Sequence, residues 1–278
     1  MKCNYCKSIR VIRYGKRYCK KGTYQLFLCK SCGKRFSSNT SFKKMKFKAN
    51  IIVASLDLYF KGLSLRKICD HLKQQYGVKV THPTILSWIR KYVKTVKSYT
   101  DKLKINPSNF NADETGMPFR KHTYWVWDII DRKSRFLVAL RLTRFRTTSR
   151  NNIFKESLKF VKGQPKIVFT DGYMGYKKMV KKNYPDAIHE RGKGIQDNGK
   201  LNMIEKFHDT LKERTKVMRG FKSVKTGQTI LDGWKIYYNF VRPNIHLYDK
   251  TPAEVAGLVK LKENKWLDLI QRSSKVKQ

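Results

Sequence analysis

Acidic residues are what this chain of 278 residues lacks: 20 Asp and Glu stand against 62 Lys and Arg, a formal charge of +42. The shortage is sharpest at the start. Residues 1–100 hold 24 Lys or Arg, only Asp57 and Asp70 as acids and no glutamate, so that stretch alone is +22. A merely solubilising surface interleaves both signs. An imbalance of this size is tolerated where a polyanion neutralises it, and nucleic acid is the partner it implies. Long apolar runs are missing too, which excludes a bilayer-spanning helix, and the start, MKCNYCKS, has no apolar signal-peptide core. No membrane partner is expected, and the reading is a soluble intracellular protein. Cysteine is scarce at six, and the spacing of four of them argues against a disulfide framework.

Those four make two C-x₂-C pairs, Cys3 with Cys6 and Cys29 with Cys32, separated by 22 residues. Two such pairs supply four thiolates to one tetrahedral Zn²⁺. Gly33 suits the sharp turn after the second pair, and RVIRY and YQLFLC alternate as short strands do. A zinc ribbon over residues 1–42 follows, with one structural Zn²⁺ supplying folding energy that so small a core does not. Cys19 and Cys69 stand alone and read as packed thiols.

Beyond a basic linker, SFKKMKFKAN, residues 43–100 read as a helical DNA-binding domain. IIVASLDLYF is an apolar helical run. Leu65, Ile68 and Leu72 recur at helical spacing behind Ser64, and Gly77 breaks the run. A second helix starts near Pro83, with Ile85, Leu86, Ile89 and Val93 inward. A helix, a turn and a Lys- and Arg-rich helix read as helix-turn-helix, with Thr84, Ser87, Arg90 and Lys91 the residues expected to reach DNA.

DKLKINPSN reads as a second linker, after which the texture changes. FNADETG, TYWVWDIID and RFLVALRLT read as three strands, the last two joined by DRKS. A helix follows over about 149–161. KIVFTD is a short, continuously apolar strand of the doubly buried kind. A helix over 176–183, a strand AIHE and a long helix over about 200–218 complete the set. Three strands, then helix alternating with strand, is the order of an α/β, RNase H-like catalytic domain, placed at 105–222, with a C-terminal helical segment at 223–278.

In that fold the first and fourth strands lie side by side. Asp113 on the first and Asp171 at the end of the fourth then emerge together, and two carboxylates so close need a cation between them. Hard oxygen ligands suit Mg²⁺ or Mn²⁺. Glu205 on the long helix is the third acid. The intervals are 57 residues from Asp113 to Asp171 and 33 from Asp171 to Glu205, a D…D…E set for two metal ions that serve phosphodiester chemistry. Glu114 beside Asp113 and Asp209 beyond Glu205 remain rivals. His208 and Lys212 follow Glu205 at i+3 and i+7, where a cation would grip a DNA phosphate.

The chain resembles insertion-sequence transposases of the DDE class, in the retroviral-integrase-like superfamily, and within them insertion-sequence family six with an added zinc ribbon. ADETG…YWVWDIIDRKSRFLVAL, FTDGYMGY, NMIEKFHDTLKERTKVMRGFKS and YYNFVRPNIHLYDKTPAEVAG carry the resemblance over most of 110–256. It implies that Asp113, Asp171 and Glu205 are the catalytic acids, with Lys212 at the family's basic position. Related enzymes often read Arg-Pro-His where this chain has Asn244, but Arg242 is kept and is expected at the DNA. The implied function is to bind the element's terminal inverted repeats, cut there, and join the freed 3′ ends to target DNA. A homodimer or larger assembly in a prokaryotic cytoplasm, associated with the nucleoid, is implied as well. A nuclease without strand transfer and a zinc-ribbon/helix-turn-helix regulator are the rival readings.

Overall fold

The computed structural model describes residues 2–276 except 4, 20–21, 38–40, 43–44, 120–121, 147–149, 172–174, 193–201, 219–220 and 222. Near the N-terminus, β1 (Val11–Cys19), β2 (Gly22–Cys29) and β3 (Arg35–Ser37) form an antiparallel sheet in that order. Among its described residues, the buried ones are Cys3, Cys29 and Phe36. That is far less apolar burial than a free-standing domain needs.

Three helices follow: α1 (Ala49–Phe60), α2 (Leu65–Tyr76) and α3 (His82–Thr100). Ser64 caps α2 by accepting from the Lys67 amide, and Gly77 ends it in the left-handed region at φ 62°, the usual start and stop devices. Pro83 lies in the first turn of α3, where its missing N–H costs nothing. Ile68, Leu72, Ile85, Ile89 and Val93 are buried as their spacing implies, and Trp88 and Tyr92 are buried with them, while Leu86 is half-buried. The basic linker explains the two aromatics. Phe42 packs on Tyr92 (centroids 5.3 Å) and Phe47 on Trp88 (5.2 Å), so this segment docks along one side of α3. Cys69 is half-buried against the core; the Cys19 side chain lies outside the described residues.

The second sheet holds β4 (Phe110–Phe119), β5 (His122–Asp131), β6 (Leu137–Thr143), β7 (Ile167–Thr170) and β8 (Ile188–Arg191) in the order β6-β5-β4-β7-β8. β4, β5 and β6 are antiparallel, whereas β7 runs parallel to β4 and β8 parallel to β7. Helices α4 (Arg150–Ser157), α5 (Gly175–Asn183) and α6 (Asn202–Lys216) complete the RNase H-like α/β arrangement. The second expected linker is stitched to it, since Ile105 is buried and bridges Val161.

The C-terminal segment is helical: α7 (Val224–Ile236), a π-turn (Tyr237–Val241), α8 (Pro252–Val255) and α9 (Lys265–Val276). Thr251 and Glu254 close a capping box on α8, with Pro252 in its first turn. α7 and the π-turn cover the outer edge of β6 with side chains. Asn239 accepts from the Leu137 amide (2.8 Å) and donates to its carbonyl (2.9 Å). Gln228 accepts from Leu142 N–H (2.7 Å) and donates to Leu140 C=O (2.9 Å), and Lys235 donates to Val138 C=O (2.6 Å). Burial pushes the Lys235 ammonium down to about 8. An edge strand that would otherwise offer unpaired backbone groups is thereby satisfied. At Gly233, α7 lies so close to α1 and α3 that a Cβ would fall 2.4 Å from Phe60 and 2.6 Å from Val93. One hydrophobic core therefore runs from α1–α3 through the second sheet to α7 and α9.

Candidate active site

Strand register builds the site. In the parallel pair β4–β7, Phe110 lies opposite Val168 and Asn111 opposite Phe169. Two residues further on, Asp113 still lies within β4, while Asp171 is the first residue past the end of β7. With Glu114, they bring one carboxylate oxygen each to within 4.8 Å of one another. Asp113 is 19% exposed. Burial raises its carboxyl to about 7, against the pull of His208 and with the push of Asp128.

Asp113 and Glu114 point to opposite faces of β4, and their partners separate them. On the α6 side, His208 Nδ1 is 3.9 Å from Asp113 Oδ2, while Nε2 is 2.8 Å from Asp128 Oδ2. Asp128 is the cross-strand partner of Asp113 on β5 and is fully buried. Burial pulls His208 down, but Asp128 and Asp113 outweigh it and hold the imidazole above its ordinary value. On the other face, Glu114 meets Arg146 and Tyr176.

His208 was expected to reach a DNA phosphate. The ring is only 6% exposed and is engaged by two carboxylates, so it braces the acids instead. Glu205 is exposed in the first turn of α6, one turn before His208, and stands outside the carboxylate cluster. Lys212, one turn past His208, is exposed and lines a groove of about 530 Å³ with Gly116, Met117, Asp209, Lys216 and Met218. Arg242 is half-buried, its guanidinium 6.0 Å from the Tyr238 ring. Asn244 is a turn residue whose side chain accepts from the His246 amide.

Sequence reasoning missed Asp128, Arg146 and Tyr176. Asp128 left a signal, an acid inside the apolar run YWVWDII whose partner only the β4–β5 register identifies. The other two left none, because their role depends on a contact with Glu114 across 32 and 62 residues.

The four thiols of Cys3, Cys6, Cys29 and Cys32 converge to within 4.8 Å of one another. Their two knuckles repeat one geometry. Lys7 N–H donates to Cys3 C=O (3.1 Å) and Gly33 N–H to Cys29 C=O (2.9 Å), with Lys7 and Gly33 both left-handed at φ 62° and 68°. The crowded thiols split. The Ser8 amide lowers Cys6, but burial and the neighbouring thiols outweigh it and carry it to about 12. Burial raises Cys29, but amide and thiol hydrogen bonds outweigh that and bring it to about 6. Four sulfur donors this close could hold one metal ion, and the donor set suits zinc, which would take all four as thiolates.

Along α3, Thr84 is half-buried with its hydroxyl 2.9 Å from that of Thr81, and Ser87 is exposed, donating to Thr84 C=O. Arg90 and Lys91 are exposed, Lys91 reaching back to Met45. Among the described residues, no helix is long and apolar enough to cross a membrane.

No curated protein matches the chain. Among solved structures, a chain of the simian T-cell lymphotropic virus intasome in complex with PP2A regulatory subunit B56 gamma is 12% identical. It matches over 75% of this chain and 76% of its own, with a TM-score of 0.44. The HTLV-2 integrase catalytic core domain in complex with magnesium is 12% identical over 55% of this chain and 98% of its own, at TM-score 0.40. The BIV integrase catalytic core is 15% identical over 54% and 94%, at 0.35. Residues 107–243 match the family model DDE_Tnp_IS240, described as "DDE domain". That match starts just before β4 and ends just past the π-turn, taking in both aspartates and α6. Residues 107–243 thus form a DDE transposase domain with an RNase H-like strand order.

Proposed function

We propose that this transposase binds the terminal inverted repeats of its own insertion sequence, cleaves DNA there and transfers the strands to target DNA. The observation that carries the reading is the meeting of the Asp113 and Asp171 carboxylates, one on β4 and one just past the end of the parallel strand β7, within a DDE domain. Their carboxylate oxygens are the hard donors that Mg²⁺ or Mn²⁺ prefers, and Glu205, on the helix that touches Asp113 through His208, is the third ligand. Bound there, two divalent ions supply Lewis-acid stabilisation and an activated water or 3′-hydroxyl.

The protein's own groups do the rest. His208, fixed by Asp128, holds Asp113 in orientation. Lys212 on the exposed side of α6 grips a phosphate next to the cut. The exposed strip of α3 with Ser87, Arg90 and Lys91, edged by Thr84, reads the element's end, and Arg242 contacts the backbone. Cys3, Cys6, Cys29 and Cys32 hold one structural zinc that keeps the N-terminal ribbon folded, and the +22 of the first 100 residues gives the ribbon and helices their affinity for DNA. Two ends are cut together, so the working form is a homodimer or larger assembly on DNA.

The test uses full-length protein with labelled duplex carrying its element's ends and an unlabelled target, in Mg²⁺. Both a nicked end and a joined product are expected. Nicking without joining at any target concentration would favour a nuclease, and end binding without nicking would favour a regulator.

A further inference from the structure

The second acid of the ADET stretch has its own assignment on the far face of β4. The Glu114 side chain is 1% exposed. Its Oε1 accepts from Arg146 Nε at 2.9 Å, and its Oε2 accepts from the hydroxyl of Tyr176, itself 1% exposed on α5. Both carboxylate oxygens thus have a donor from the protein, unlike a residue kept for a cation. Arg146 differs from its partners in being half exposed, at 48%. Its guanidinium lies over the Trp125 ring, 4.9 Å from the centroid. Glu114 and Trp125 fix the direction of the group, and Asp171 lies near enough to act on its charge. A guanidinium anchored through Nε keeps its two Nη groups for a second, bidentate contact, which is the geometry that matches a phosphate. A fixed arginine beside two acidic groups in a half-open site has little purpose in the resting protein except local neutralisation. With a DNA strand in the site it faces the backbone.

We propose that Arg146, oriented by Glu114 and Tyr176, is a DNA phosphate-binding residue beside the Asp113–Asp171 pair, and that Glu114 is its anchor and not a metal ligand. The proposal rests on the transposase reading. It makes Glu114 a positioning residue that acts through Arg146, and it accounts for a third carboxylate within 4.8 Å of the other two.

The experiment uses full-length wild type, Arg146→Ala, Arg146→Lys, Glu114→Gln, Tyr176→Phe and Asp171→Asn. Mn²⁺ binding to the metal-free protein is one readout. The other is cleavage of, and affinity for, end duplexes in which single backbone phosphates are replaced in turn by neutral methylphosphonate. Mn²⁺ affinity is expected within twofold of wild type in every variant except Asp171→Asn, which loses it. Cleavage falls about 10²-fold in Arg146→Ala, is partly restored by the point charge of Lys, and falls in Glu114→Gln and Tyr176→Phe because the fork is no longer aimed. At one position the methylphosphonate slows wild type by a similar factor and Arg146→Ala no further. Equal slowing of wild type and Arg146→Ala at every position overturns the proposal, as does loss of Mn²⁺ affinity in a folded Glu114→Gln. If wild type binds Mn²⁺ but cuts no end DNA, the transposase reading fails. The same methylphosphonate coupling, read as affinity, still decides the role of Arg146.

Discussion

At the scale of single residues, the proposal gives Asp113 and Asp171 the chemistry, and burial makes the Asp113 charge costly in the metal-free protein. Asp171→Asn keeps the shape of the side chain but removes the charge that binds metal. Cleavage and joining should both fall on the order of 10³-fold or more, while end-specific binding should survive, because the proposal places it on α3. A gel assay and an end-binding titration in Mg²⁺ on the same preparation check this, and full cleavage activity would remove Asp171 from the site. Asp113 carries a pH signature. Its carboxyl sits at about 7 in the folded protein against an ordinary 3.8, so between those values the folded state holds a proton that the unfolded chain has released. Metal-free wild type therefore loses stability as pH rises through that window, by about 1.4 kcal/mol per unit at most. Asp113→Asn lacks this loss. Its melting temperature in chelator should gain on wild type from pH 4 to 7 and then level off, and added Mg²⁺ should restore wild type alone.

At the scale of elements, the ribbon and the edge of β6 are held in opposite ways. The ribbon has almost no core, so its fold depends on the two Cys knuckles; Cys29→Ser should unfold residues 1–42 and release zinc, leaving the second sheet intact. Metal analysis with hydrogen exchange by segment checks it, and a folded zinc-free ribbon would refute it. The β6 edge is held by polar side chains of α7 and the π-turn. Asn239→Leu leaves the buried N–H and C=O of Leu137 without partners, at about 1–3 kcal/mol each. The melting temperature should drop by several degrees, with a smaller drop for Gln228→Leu, whose site is only part-buried. The strands themselves were legible in the sequence because alternation and apolar runs are local. The β6 edge cover was not, since Asn239 meets Leu137 from 102 residues away. SFKKMKFKAN, residues 41–50, likewise read as a linker by composition, yet Phe42 and Phe47 bind α3 through contacts no local pattern shows.

At the scale of the whole molecule, charge and packing act together. The excess of cations predicts steep salt dependence, with a log–log slope of roughly −0.9 per phosphate neutralised. A nearly flat dependence would count against electrostatic binding. Arg90→Ala should weaken element ends more than random DNA if Arg90 reads bases, and all sequences equally if it only grips phosphate. Helices α1–α3 are not a detached module, because α7 presses on α1 and α3 at Gly233. On α6, Arg214 is buried with its guanidinium 4.1 Å from the Tyr59 ring of α1. The helix that carries Glu205 and Lys212 thus touches α1, in the helical region proposed to bind DNA.

The sequence by itself determined the order of strands and helices, the two Cys knuckles, the excess of positive charge and the intervals between Asp113, Asp171 and Glu205. Each of these is written in neighbouring residues or in spacing, and needs no distant partner to be read. Only the tertiary structure shows what each of Asp113 and Glu114 meets. Adjacent strand residues differ in which face they present, and β4 shows its face only once α6 packs on one side and α5 on the other. The same packing buried His208 between two carboxylates and turned Glu114 toward Arg146 and Tyr176, because a buried charge takes the partner that the register brings within reach.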